Sequence, residues 1–413
     1  MTIPVINAII NFSTGPVFAS PMILDQGILD TNVLADSVAV TVDVSSQVNS
    51  INITRGRNVT ADQFQTGQMS LRILDQNGDF NPQNPSSPYA NLLTPMRKVT
   101  ITATYSGVTY PLFAGYILSY TYTMPNQNDG TLGYTTIAAS DAFRLATQAT
   151  IQNIAGAAAG DLASTRVTQI LDQIQWPKAM RSIETALTTV QADTGTVRTS
   201  LNAMQNMEQT EYGALYVSAA GNFVFKNRTT TSTSVAATPT VFAQTGAGIR
   251  YYSAAWVLND QLIYNQGNVT RVGGVTQSVT NAVSTALYFY HTWTQTGLMM
   301  QTDAVALQLC QAYIASRALT SVRVDQLLLD LYTTNYDAGI KAALNLDFFD
   351  PVTITSTQPG GTELSKTEQI FGVNHAITPG SWKTTFTTLE PIIDAFILNS
   401  TSFGVLDTSV LSY

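Results

Sequence analysis

Residues 51–122 read INITRGRNVTADQFQTGQMSLRILDQNGDFNPQNPSSPYANLLTPMRKVTITATYSGVTYPLFAGYILSYTY, and the fold class follows from this stretch. From Lys98 the residues alternate strictly, with Val99, Ile101, Ala103 and Tyr105 on one face and Thr100, Thr102 and Thr104 on the other. A period of two places each set on one side of a pleated strand. Ser106-Gly107 supplies the turn, because glycine accepts positive φ without a Cβ clash. Val108, Tyr110 and Leu112 resume the alternation, and Tyr116, Leu118, Tyr120 and Tyr122 repeat it beyond Gly115. This is a β-meander with one apolar face, which must close on itself or be covered by another layer.

Outward from the meander, strands are predicted near 38–44, 51–55, 68–74 and 134–139, enough for a barrel-sized set. Residues 1–36, interrupted by Pro4, Pro16 and Pro21, read as an extended N-terminal arm. The 75–95 segment, dense in Asn, Pro, Gly and Ser, reads as a long irregular loop of the kind that contacts something else. Past 146 the period changes. Val167, Ile170, Leu171 and Ile174 mark one helix, stopped by Pro177, and Leu201, Met204 and Met207 mark a second, ended by Gly213. A hairpin turning at Gly221-Asn222 follows, and TTTSTS at 229–234 reads as a polar boundary loop. A second β-rich region then holds strands near 249–258, 261–265 and 267–272, TALYFYHTW as a further strand, and a helix from Thr302 to about Leu319. Four more strands are predicted, near 322–332, 351–356, 367–377 and 382–389. The expected architecture is mainly β with an α+β middle: a barrel-sized set of strands at 37–145 and a second β-rich domain at 236–395 flank a small helix-containing domain at 146–235. A C-terminal arm covers 396–413, where Leu406–Leu411 echoes the LDTxVL of Leu29–Leu34 and suggests a docking strand.

Only 11% of the 413 residues are Asp, Glu, Lys or Arg, against roughly 25% in ordinary soluble domains. Such a surface suits a chain covered by neighbours, since interface cores are depleted of charge. The net charge of −8, with no run of Lys or Arg, argues against a dedicated nucleic-acid binder, which needs clustered cations. Met1-Thr2-Ile3-Pro4 lacks the features of a signal peptide, and no apolar run approaches a membrane span. One cysteine, Cys310, excludes an internal disulfide or cysteine-based zinc cluster. His291 and His375 read as packed histidines, HExxH and GxSxG are absent, and no cofactor is expected. Asp75, Asp79, Glu208 and Glu211 are the nearest clustered acids for a hydrolase reading, without a supporting motif. Asp75-Gln-Asn77-Gly-Asp79 resembles half of a calcium loop, but Phe80 and Ser86 stand where glycine and a carboxylate are required, so an Asx-stabilised turn is the better reading.

The stretch also carries a family likeness. Arg55-Gly56-Arg57 followed by Gly67 resembles minor tail proteins of siphophages, similar in fold to the baseplate hub of contractile-tailed phages. The likeness continues in Asp75, Asn77, Gly78, Phe80, Pro82, Asn84, Pro88 and Tyr89, then Pro95-Met96, and then Pro111-Leu112-Phe113 with Gly115-Tyr116. It implies two β-barrel-like domains flanking the middle one, in a non-enzymatic homo-oligomeric ring at the virion tail tip, assembled in the host cytoplasm, with a trimer favoured and a hexameric distal tail ring as the alternative. Implied partners are distal tail, tape-measure and fibre proteins, with DNA passing through the lumen unbound. Arg55, Arg57, Asp75, Asn77, Phe80, Tyr89, Phe403, Leu406 and Leu411 are the subunit-contact candidates. A receptor- or carbohydrate-binding module is the rival; its only aromatic platform would be Tyr288-Phe289-Tyr290 with Trp293, which as a strand would lie in a core.

Overall fold

The computed structural model describes residues 3–12, 40–58, 62–124, 132–234, 237–332 and 337–390. Among them the body is one sheet of fourteen strands. The N-terminal eight are β1 (Val5–Asn11), β2 (Thr41–Asp43), β3 (Val48–Asn58), β4 (Gln63–Phe64), β5 (Gln68–Leu74), β6 (Lys98–Tyr105), β7 (Val108–Thr123) and β8 (Tyr134–Ser140). The other six are β9 (Thr240–Ala243), β10 (Ser253–Val257), β11 (Arg323–Asp330), β12 (Pro351–Thr357), β13 (Glu363–Thr378) and β14 (Ser381–Leu389). Their order is β10-β11-β14-β13-β3-β5-β8-β7-β6-β1-β2, with β4 on β3, β12 on β13 and β9 on β12. The mainly β class holds. The two barrel-like sets do not close among the described residues; they continue into each other through β13 and β3.

The meander falls as the alternation requires. In β6, Val99, Ile101, Ala103 and Tyr105 are buried and the threonines between them half-buried. Val5–Asn11, expected as part of an arm, is instead a strand between β6 and β2, with Ala8 and Ile10 fully buried. Its period was masked because Val5 and Ile9 on the opposite face are apolar too. Residues 13–36 of that arm, and the whole C-terminal arm, lie outside the described residues.

β13 is the keystone. One edge pairs with β14, while the other pairs first with β12 and then, from Gly372 to Ile377, with residues 56 to 51 of β3. At that junction Gly56 faces Gly372 so closely that a Cβ on Gly56 would lie 2.8 Å from Gly372 Cα and 2.9 Å from the Phe371 carbonyl oxygen.

The middle region holds α1 (Phe143–Gln148), α2 (Ala163–Gln173) and α3 (Ser200–Glu211) beside a three-stranded sheet of 181–183, 214–217 and 223–226. The predicted faces are the buried ones: Val167, Ile170 and Leu171 on α2, and Leu201, Met204 and Met207 on α3. Thr199 caps α3 by accepting from Asn202 N–H at 3.1 Å. The hairpin turns at Gly221, φ +88°, with Phe223 and Phe225 fully buried.

Two local readings change. TTTSTS is mostly a short helix, α4 (Arg228–Thr233), not a loop. Asn227 caps it by accepting from Thr230 N–H, and Ser232 and Thr233 donate to carbonyls four residues back. Hydroxyls bonded to their own backbone let a run of poor helix formers turn. TALYFYHTW is not one strand either: α5 (Ala282–Tyr288) precedes a strand at 292–298, because Asn281 accepts from Ser284 N–H and so starts a helix. α6 (Asp303–Arg317) matches its expected span, and α7 (Asp337–Asn345) had no sequence expectation.

Candidate functional site

The residues singled out in 51–122 divide by location. Arg55 and Arg57 sit on β3 at the junction with β13 and are almost fully buried. Arg55 Nη2 meets Asp347 Oδ1 at 2.9 Å, and its guanidinium lies 5.0 Å from the centre of the Phe348 ring. Arg57 Nη2 meets Asp62 Oδ1 at 3.0 Å and faces the Phe371 ring at 5.5 Å. Both cations therefore find their acids within the chain, and both stitch the sheet to loops of the same chain. Gly67, the next motif glycine, leaves room for Asp141, whose Oδ2 accepts from Gly67 N–H at 2.6 Å.

Asp75 is also buried, and its carboxylate accepts three hydrogen bonds: Asp79 N–H at 2.7 Å, Phe80 N–H at 3.0 Å and Thr135 Oγ1–H at 2.8 Å. Those lone pairs are committed to shaping the turn, as the Asx-turn reading required. Beyond it the 75–90 segment is regular, not irregular. The N–H groups of Gly78, Asn81, Asn84, Ser87 and Ala90 each donate to the carbonyl three residues back, giving five successive turns. The units Asn81-Pro82-Gln83, Asn84-Pro85-Ser86 and Ser87-Pro88-Tyr89 repeat one device. The first side chain accepts from the N–H two residues on, and proline fixes the φ between. The period-three spacing of Asn/Ser-Pro was the available sequence signal for this staircase. Phe80, fully buried, packs at a tilt against the half-buried Tyr89, ring centres 5.0 Å apart, and Tyr89 reaches Phe12 at 5.5 Å. Asn77, Pro82, Gln83, Pro85, Ser86 and Pro88 face outward. Of the contact candidates, then, Asn77 and part of Tyr89 are presented on the surface. Phe403, Leu406 and Leu411 lie outside the described residues.

Of the acids considered for hydrolysis, Glu208 and Glu211 are, like Asp75, tied to backbone. Glu211 accepts from the N–H groups of Leu187, Thr188 and Arg228. Glu208 Oε1 accepts from Leu215 N–H at 2.9 Å while Oε2 has no hydrogen-bond partner. With Arg57, Asp62 and Tyr212, Glu208 lines a cavity of about 20 Å³, room for roughly one water. Burial pushes the Glu208 carboxyl up to about 8, against the opposing pull of Leu215 N–H and Arg57. Burial likewise raises Asp141 and Glu368 to about 7.

A carboxyl whose folded pKa is raised contributes fully below its unfolded value near 4.5, and that contribution is lost as pH rises towards 8. The melting temperature is therefore expected to fall between pH 5 and pH 9. Glu208→Gln should remove part of that slope, of order 4 kcal/mol at about 1.4 kcal/mol per pKa unit. Thermal melts across this range check it; identical slopes for the two proteins refute the assignment.

His375 is buried, with Nδ1 3.0 Å from Thr384 Oγ1, and burial drives its pKa down to about 3, so it stays neutral. His291 Nε2 lies 3.1 Å from the Tyr288 carbonyl. Among the described residues no cluster of three or more His, Cys, Asp or Glu could hold a metal, and no helix is long and apolar enough to cross a membrane. The aromatic platform is split. Trp293 is buried and stacked on Tyr313 at 3.9 Å, whereas Phe289 and Tyr290 stand on the surface.

No family model matches the chain, and no curated protein matches it in sequence. Solved structures do resemble it. A tail protein from Neisseria meningitidis MC58 aligns over 86% of this chain and 95% of its own, with TM-score 0.57 and 8% identity. A 43 kDa prophage tail protein from Shewanella oneidensis aligns over 93% and 98%, with TM-score 0.53 and 12% identity. A chain of a PdpA–VgrG complex aligns over 94% of this chain and 66% of its own, with TM-score 0.50 and 10% identity. At such identities the likeness is one of fold, and it spans both halves of the sheet and the region between them. The chain shares the fold of these tail proteins.

Proposed function

We propose that the chain is a non-enzymatic structural subunit of a bacteriophage tail tip, a hub or minor tail protein. Copies of it close a ring, a trimer by the motif likeness, that extends the tail tube and docks distal tail, tape-measure and fibre proteins. DNA passes through the lumen without a specific site, and the protein resides in the virion after assembly in the host. The observation that carries the reading is the tail-protein fold running through nearly the whole of this chain and of two tail proteins. The use of side chains agrees with it. The buried cations and acids bond to the chain's own acids and backbone, and the proline-rich staircase offers Asn77 and its prolines to a neighbour. The halves at 37–145 and 236–395 act in this reading as two β collars around the 146–235 domain.

Native mass spectrometry of the purified full chain tests the proposal. A closed multiple of the chain mass is expected, three copies for a hub and six for a distal ring. A chain that stays monomeric at every concentration sinks it.

A further inference from the structure

α5 is inside out. Its polar Ser284 is fully buried, and Ala282, Val283, Ala286 and Leu287 face solvent, followed by Phe289 and Tyr290. Val283 is 70% exposed, Leu287 65%, Phe289 76% and Tyr290 57%. A surface helix normally turns its apolar stripe inward. Here a buried polar network holds the opposite orientation. Asn265, itself fully buried, donates through Nδ2 to Ser284 Oγ at 3.1 Å and to the Phe289 carbonyl at 2.7 Å, and its Oδ1 accepts from His291 N–H at 2.8 Å. Ser284 Oγ–H in turn donates to the Ala318 carbonyl, beside the exposed Leu319. Phe289 has φ +64° and ψ −171°, a region that glycine occupies and a Cβ disfavours. Strain on a fully presented phenylalanine marks a site where presentation matters more than comfort.

We infer that this face of α5, with Phe289 and Tyr290, is where one copy of the chain packs against a second copy. The inference rests on the ring reading above and names its contact. Two observations choose the occupant. The exposed apolar side chains amount to roughly 600 Å², the upper end for a monomer's largest patch and close to the ~800 Å² per partner of a standard interface. From Val272 to Thr302 there is also no charged residue, in a chain of net charge −8. Two copies that each carry net charge −8 repel one another, and a charge-free apolar face is where they meet without that cost.

The test is Leu287→Asp/Phe289→Gly in the full chain. Glycine suits the backbone at 289, so the fold is expected to survive, which circular dichroism checks. The assembly should weaken at least ~30-fold, shifting mass towards monomer at micromolar concentration. In the wild type, α5 amides should exchange more slowly in the assembled than in the diluted protein. A wild type that is only ever monomeric overturns the ring reading and this contact together. An oligomer whose mass and α5 exchange ignore both the variant and dilution overturns the contact alone. Glycan binding lost in the variant without a change in mass assigns the face to a carbohydrate ligand and overturns it as well.

Discussion

Gly56→Ala is expected to lower the stability of the chain by about 3 kcal/mol, and Gly56→Val to abolish soluble expression. The added Cβ would meet the Gly372 Cα at 2.8 Å and the Phe371 carbonyl oxygen at 2.9 Å. Both are backbone atoms of β13, which cannot rotate away as the tip of a side chain can. Nor can β13 retreat, because a Cβ on Gly372 itself would sit 3.0 Å from Thr387 of β14 on the far side. The extra methyl must push the two halves of the sheet apart where they are joined. Gly107→Ala is the control: its φ is +79° but nothing lies within 4 Å of the added carbon, so it carries only the backbone term of about 1 kcal/mol. Denaturant midpoints and slopes for the two variants decide the matter. Equal losses would mean that the β3–β13 crossing is not a tight joint.

Arg57→Met should cost about 3 kcal/mol, because truncating one partner of a buried ion pair strands the other. The Arg57 side chain is 4% exposed and Asp62 14%, so bulk water does not solvate the freed carboxylate, and only the small cavity beside them could admit a water to it. Asp62 would keep only the hydrogen bond from Tyr212 Oη–H at 3.1 Å. Asp62→Asn should be milder, since the amide oxygen still accepts from Tyr212. The double variant Arg57→Met/Asp62→Asn should lose at least 1 kcal/mol less than the sum of the single losses, because the two side chains act on each other. Strict additivity would show that the pair, though close, contributes no coupling. Arg57 also packs on Phe371 of β13 and Phe64 of β4, so part of the Arg57→Met loss will be packing and will persist in the double variant.

Legibility varied with the range of the interaction. The β6 alternation, the faces of α2 and α3, the span of α6 and the Gly221 hairpin were readable because each is set by spacing within one element. The 75–95 segment was legible as turn-forming but not as a staircase, since its order lies in a period of three that neither strand nor helix patterns sample. α5 misled. Its run of Leu, Tyr and Phe favours burial by composition, and only Asn265, Ser284 and the Ala318 carbonyl, brought together from three elements, turn that run outward. The hydrolase candidates Glu208 and Glu211 could not be judged in sequence, because the amides they bond belong to residues as distant as Leu187 and Arg228.

By itself the sequence determined that this is a mainly β, charge-poor chain with a helical middle and tail-protein motifs, because period, turn chemistry and composition are written locally. Only the tertiary structure decided that β3 pairs with β13 across more than three hundred residues, merging two sets of strands into one sheet. Alternation records which face of a strand is buried, whereas either edge can pair with any strand that presents free N–H and C=O groups. Partner choice is made by packing between residues far apart in the chain, and the close approach of Gly56 to Gly372 is part of it here.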